Sequence, residues 1–181
     1  MLTVGDKLPA LKVPVQQGTS ALPAGETLDL GQTNGRWKII FYWPKDFTFV
    51  CPTEIIGYGE LLQDFADRDA QLIGASTDTD FVHHAWRKAD ERLAAVDFPW
   101  IADNKKELAN ALGIVAEDAG VAYRATFIVD PDNVIQHVTV NGLNVGRNPA
   151  EALRVLDALQ TDELCPCNWT PGEEVLKPQA A

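Results

Sequence analysis

No stretch of the 181 residues approaches the roughly 20 consecutive apolar positions that a membrane helix needs. The opening Met1-Leu2-Thr3-Val4-Gly5-Asp6 lacks the basic start and apolar run of a secretory signal, so the expected address is cytoplasmic. Basic residues are scarce, 15 Lys and Arg against 26 Asp and Glu, and the net charge is −11. Such a field repels nucleic acid and anionic membranes at long range, and neither is an expected partner. No Gly-x-Gly-x-x-Gly or phosphate loop occurs, so no nucleotide cofactor is expected. Histidine is nearly absent: His83 and His84 are neighbours that point apart on a helix, and with His137 they read as surface or packing residues. There are only three cysteines, Cys51, Cys165 and Cys167. An odd count does not close into structural disulfides and leaves a thiol for other work or for another chain. Cys165-Pro166-Cys167 supplies two soft ligands, short of the four of a structural zinc site, so no metal is expected.

What is present is ordinary for a single globular domain: 46% hydrophobic and 23% charged residues, with no internal repeat and no interdomain linker. Residues 11–15 and 26–30 read as short strands around a Gly/Ser-rich turn. Ile39-Ile40-Phe41-Tyr42-Trp43 is the continuous apolar run of a strand buried on both faces. From Pro52 onward, Ile55, Tyr58, Leu62 and Phe65 recur at helical spacing. Residues 72–76 form a second buried strand, Phe81 to Ala95 a helix, 98–102 a short strand, and 105–112 a helix closed by Gly113. Residues 125–129 and 134–140 make a hairpin around Asp130-Pro131-Asp132-Asn133. A last helix has Asn148 as its cap and Pro149 as its first residue, with Leu153, Leu156 and Leu159 facing inward. The order implies an α/β fold with a mixed central β-sheet flanked by helices on both faces. By analogy it is a thioredoxin-like domain, residues 1–160, followed by a mobile C-terminal arm, 161–181.

The central stretch is Pro44-Lys45-Asp46-Phe47-Thr48-Phe49-Val50-Cys51-Pro52-Thr53-Glu54. Pro52 suits a first helical turn, which puts Cys51 at the positive end of the helix dipole among N–H groups without intrahelical partners. Such a place favours thiolate over thiol. One turn of backbone brings the Thr48 hydroxyl beside the sulfur, and Pro44 closes the approach. Magnitude limits what ionisation explains. A free cysteine of pKa ~8.5 is roughly 3% thiolate at neutral pH, so full ionisation gains about thirtyfold, or about 2 kcal/mol. Breaking an O–O bond needs more: fixed donors aimed at the charge on the departing oxygen.

Pro44-x-x-x-Thr48-x-x-Cys51 between a buried strand and an amphipathic helix resembles the active-site motif of the peroxiredoxins. The string from Trp43 to Ile55 is similar to the alkyl hydroperoxide reductase (AhpC) type. The ending Glu163-Leu164-Cys165-Pro166-Cys167-Asn168-Trp169 resembles its mycobacterial and actinobacterial branch. The resemblance implies a thiol peroxidase without cofactor, reducing hydrogen peroxide and organic hydroperoxides. Cys51 would become a sulfenic acid, Thr48 would hold the peroxide and the thiolate, and Pro44 would shield the sulfenate. The family arginine maps to Arg124, braced by Glu54 and Arg147; an ordinary ion pair is the alternative for both arginines. Trp86 matches a tryptophan near the pocket, though an aromatic at that spacing also reads as core.

The resemblance further implies that Cys165 resolves the sulfenic acid as an intersubunit disulfide in a homodimer, with dimers assembling into a ring. Cys167 either shuttles the disulfide outward, substitutes for Cys165, or is a spare thiol. The implied reductant is an external dithiol, alkylhydroperoxidase D-like or a thioredoxin. The Gly-Gly-Leu-Gly insertion and C-terminal Tyr-Phe helix of overoxidation-sensitive relatives are missing, which implies resistance to sulfinic acid formation. Two readings from other classes remain: a thiol–disulfide exchange protein, disfavoured by the missing Cys-x-x-Cys at Cys51, and a holdase chaperone.

Overall fold

The computed structural model describes residues 1–177; positions 178–181 at the end of the predicted arm lie outside the described residues. The chain opens with strands β1 (Lys12–Gln16) and β2 (Thr27–Asp29). Strand β3 (Trp37–Tyr42) leads through loop 43–50 into helix α1 (Cys51–Glu60), helix α2 (Leu62–Ala66) and strand β4 (Ala70–Ser76). Helices α3 (Asp80–Ala89) and α4 (Glu91–Ala94), strand β5 (Trp100–Ala102) and helix α5 (Glu107–Leu112) follow. Strands β6 (Val115–Ala116), β7 (Val121–Ala122), β8 (Arg124–Val129) and β9 (Ile135–Asn141) precede helix α6 (Pro149–Thr161).

Seven strands form one mixed sheet in the order β2-β1-β5-β4-β3-β8-β9, parallel from β5 through β4 to β3 and antiparallel elsewhere. The alternation of side chains along β3 divides the core in two. Ile39, Phe41 and Trp43 join Ile55 and Tyr58 of α1, Phe65, Trp86, Leu93 and Leu156 on one face. Ile40 and Tyr42 face the other side, against Leu108 and Leu112 of α5. The expected thioredoxin-like arrangement, with helices on both faces, is what forms. No helix among the described residues is long and apolar enough to cross a membrane.

Three expectations need correction. The helix predicted over Phe81 to Ala95 is two helices. Asp90 takes an extended backbone (φ −131°, ψ 112°) and its carboxylate accepts the Arg92 amide, so a cap outcompetes helix continuation. The helix after Pro52 likewise breaks at Leu61 before resuming as α2. The described part of the arm is docked, not loose. Trp169 is buried, its carbonyl accepts from Arg154 (2.7 Å), its indole donates to the Glu173 carbonyl (3.1 Å), and Leu164 bridges to Leu176. An apolar ring that size finds cover beside α6, which a Pro- and Glu-rich composition does not reveal.

Candidate active site

Cys51 is the first residue of α1 and Pro52 the second, where a missing N–H costs no helical hydrogen bond. No side chain caps this terminus, so the dipole's positive end faces the sulfur uncompeted. One turn on, Glu54 lies on the same helical face and is buried. Arg124 enters as the first residue of β8 and Arg147 from the loop before α6. Three elements distant in sequence thus deliver four groups to one end of the sheet.

The Arg124 guanidinium spans the site. Its Nη1 donates to the Cys51 Sγ (3.4 Å) and to Glu54 Oε2 (2.6 Å), and its Nε donates to the Leu143 carbonyl (2.7 Å). The other Glu54 oxygen, Oε1, accepts from the Arg147 Nε (2.8 Å) and backbone amide (2.9 Å). Arg147 Nη1 donates to the Ala125 carbonyl (2.6 Å), and its guanidinium lies 5.6 Å from the Phe41 ring and 5.9 Å from the Tyr58 ring. Burial pulls the Arg124 pKa down, but the hydrogen bond and charge of Cys51 and then Glu54 outweigh it, and the net shift is upward. The guanidinium therefore stays charged beside the sulfur. Burial also raises the Tyr58 pKa, and its phenol is paired with the Thr126 hydroxyl at 2.9 Å.

Cys51 is only 1% exposed, and Pro44 is buried in the loop ahead of it. The Thr48 hydroxyl does not bond the sulfur as the sequence suggested; it donates to the Lys45 carbonyl (3.0 Å). That leaves its oxygen lone pairs free to accept a hydrogen bond. Trp86 answers to both of its readings: it is buried against Trp100 (6.0 Å) and its other neighbour is Phe47 of the active-site loop (5.8 Å). Cys165 and Cys167 are not at this site. Cys165 is half-buried at the end of α6, with its sulfur 3.4 Å from the Thr161 hydroxyl and 3.8 Å from the Ala158 carbonyl, whereas Cys167 is exposed.

Sequence reasoning missed what fixes the loop. Asp46 is buried, accepting the Trp43 indole N–H on Oδ1 (2.7 Å) and facing His83 Nδ1 with Oδ2 (2.6 Å). Neither His83 nor His84 is on the surface, and Arg87 is buried with them. The one available signal was that Trp43 and Asp46 sit three apart.

Known proteins resemble the chain over nearly its whole length. Residues 4–138 match the AhpC/TSA family, and residues 158–181 match the C-terminal domain of 1-Cys peroxiredoxin. The chain is 49% identical to alkyl hydroperoxide reductase C of Mycolicibacterium smegmatis, over 97% of this chain and 94% of that protein. It is 47% identical to the protein of that name from Mycobacterium tuberculosis, over the same shares of the two chains. The solved structure of Mycobacterium tuberculosis AhpC superposes with a TM-score of 0.84 at 46% identity, covering 93% of this chain and 99% of that one. The reduced 2-Cys peroxiredoxin of Plasmodium vivax superposes with a TM-score of 0.91 at 30% identity, covering 99% and 95%. A thiol at a helix mouth, a buried arginine donating to it, and this likeness along nearly the whole chain lead to one assignment: the chain belongs to the AhpC/TSA family and is a peroxiredoxin, a peroxide-reducing thiol enzyme.

Proposed function

We propose that Cys51 is the peroxidatic thiol of an alkyl hydroperoxide reductase, resolved by Cys165 of the partner subunit. The observation that carries this reading is the single Arg124 Nη1 that donates to both Cys51 Sγ and Glu54 Oε2. One donor then stabilises the thiolate before reaction, and Nη2, without a hydrogen-bond partner among the described residues, is free for a peroxide oxygen. The Cys51 sulfur attacks the terminal oxygen, and the O–O bond breaks. The expelled oxygen takes a proton and leaves as alcohol or water, and the sulfur becomes a sulfenic acid. Thr48 accepts from the peroxide O–H while Arg124 faces the charge that develops on the leaving oxygen. The Cys165 thiol then displaces water from the sulfenic acid, and an external dithiol, a thioredoxin or an alkylhydroperoxidase D-like protein, reduces the disulfide.

Geometry favours resolution between subunits. At the start of α6, Pro149 sits against Gly57 of α1; at its end, Asp157 pairs with Arg68 and Gln160 donates to the Arg68 carbonyl (2.7 Å). Cys165 is therefore held at the Arg68 end of the helix layer and Cys51 at the other. A helical path of that length is on the order of 20 Å. A homodimer exchanging arms supplies the missing thiol, and ring assembly of such dimers follows the same reading. Three free thiols suit a reducing, cytoplasmic setting. The test is stopped-flow reduction of hydrogen peroxide and an alkyl hydroperoxide by wild type, Cys51→Ser, Cys165→Ser and Cys167→Ser, with non-reducing gels. Cys51→Ser is expected to lose all turnover, and Cys165→Ser to lose the dimer band while Cys51 still oxidises once. Retained turnover in Cys51→Ser would overturn the assignment.

A further inference from the structure

His83 is fully buried in α3, and both of its ring nitrogens face acceptors. Nε2 lies 3.1 Å from the Ile101 carbonyl, and Nδ1 lies 2.6 Å from Asp46 Oδ2. A carbonyl only accepts, so Nε2 carries a hydrogen. In a neutral ring Nδ1 would then present a lone pair to a carboxylate at hydrogen-bond distance. A proton must lie between them. Asp46 is already an acceptor on its other oxygen, from the Trp43 indole at 2.7 Å and the Ser76 hydroxyl at 3.4 Å, which favours the carboxylate and places the proton on the imidazole.

Two further charged groups lie nearby, Asp78 and Arg87. The Ser76 hydroxyl also reaches Asp78 Oδ2 (3.2 Å), which in addition accepts the Asp46 amide (2.7 Å). Burial raises the Asp78 pKa, opposed first by the hydrogen bond from the Asp46 amide. From α3 the facing cation is Arg87, whose guanidinium is turned to the Val96 and Phe98 carbonyls (2.6 and 2.7 Å) and lies 3.7 Å from the Trp100 ring centre. From β5 and the end of β3 come the uncharged Trp100 and Trp43 rings, 5.5 and 5.6 Å from the His83 ring.

Asp46 is the anchor of the active-site loop. Its amide donates to Asp78 Oδ2 (2.7 Å), and the Pro44 carbonyl accepts from Thr77 (3.2 Å). On one side is Lys45, whose carbonyl holds the Thr48 hydroxyl. On the other is Phe47, an aromatic residue in the left-handed region (φ 54°) with its side chain more than half exposed. Such a conformation costs on the order of 1 kcal/mol and persists only where the chain is pinned on both sides.

We propose that His83 is a positioning residue of the peroxidase, holding as an imidazolium the Asp46 carboxylate that fixes loop 44–48 in its peroxide-receiving form. The proposal rests on the peroxidase reading, and its first test does not. Reduced wild type labelled with ¹⁵N-histidine is examined by solid-state NMR at pH 7.5, with the His83 signals identified by their loss in His83→Asn. Both ring nitrogens are expected to carry hydrogen; a bare Nδ1 overturns the proposal, whatever the variants do.

The second test compares His83→Asn, whose amide keeps a donor toward Asp46, with His83→Leu, which fills the space without one. Cys51 oxidation by hydrogen peroxide is expected to slow at least tenfold in His83→Leu and to stay within about threefold of wild type in His83→Asn. Dithiothreitol reduction of the oxidised enzyme is expected to be unchanged in both, since the loop has already opened. Equal losses in the two variants, or equal slowing of both half-reactions, overturn the positioning role. Absence of peroxide reduction by wild type would instead sink the peroxidase reading.

Discussion

At Arg124 the guanidinium donors serve separate partners: Nε the Leu143 carbonyl and Nη1 Cys51 and Glu54, while Nη2 has no hydrogen-bond partner among the described residues. A lysine at this position has one point charge to offer and cannot span these partners. Its ammonium still favours the thiolate, whereas the directed donor for the departing oxygen is lost. Arg124→Lys is therefore expected to lower the rate of Cys51 oxidation by hydrogen peroxide about 100-fold, the usual effect of losing one transition-state donor. Alkylation of Cys51 by iodoacetamide, which needs only the thiolate, should fall less than tenfold. Parallel losses in the two rates would mean that Arg124 acts through ionisation alone. Cys51, Thr48 and Pro44 could be singled out in the sequence because they lie close together in the chain, whereas Glu54 and Arg147 came from family resemblance. Arg124 was legible only through family resemblance. The Asp46–His83 pair was not legible at all, because its partners are 37 positions apart and a polar residue in a helix reads as solvent-facing until the fold buries it.

Among the elements, β3 was readable from its unbroken apolar run, since a strand covered on both faces has no polar side to display. The breaks at Leu61 and Asp90 were not: at Asp90 a side-chain cap competes with helix continuation, and Leu61 carries no side-chain cap that the sequence could signal. Next to β3, Gly74 of β4 makes room for the Trp43 ring: a Cβ there would lie 2.7 Å from Trp43 Cζ3 and 3.1 Å from Phe98 Cε2. Trp43 carries the indole that binds Asp46, so packing and loop position are coupled. Gly74→Ala is expected to cost about 1–3 kcal/mol in urea unfolding, by overpacking a full core. A neutral effect would show that the Trp43 ring yields freely. The unanticipated β6–β7 hairpin turns tightly, with the Gly120 amide on the Ala116 carbonyl at 2.8 Å, and carries no Gly-Gly-Leu-Gly segment. With no such segment to slow unwinding of α1, Cys51 should resist overoxidation. Mass spectrometry during turnover at low peroxide excess is expected to find disulfide and no sulfinate.

For the molecule as a whole, the proposed resolving role of Cys165 would make the arm between residues 162 and 177 set the pace of the second half-reaction. Composition marked it as irregular but hid that it docks, because docking depends on Trp169 finding cover beside α6 and on Arg154 reaching its carbonyl. The thiol of Cys165 shares this dock, next to Ala158 and Thr161. For Cys165 to meet the partner subunit's Cys51, the arm must first leave α6, so every contact that holds it there slows disulfide formation. Trp169→Ala removes the buried ring that the arm must pull out. If about 1.4 kcal/mol of docking is lost, resolution should accelerate about tenfold. Cys51 oxidation, at the far end of the helix layer, should not change. Quenched-flow sampling with mass spectrometry of sulfenate and disulfide separates the two rates. Slower disulfide formation in Trp169→Ala would mean instead that the docked arm is the form presented to the partner subunit.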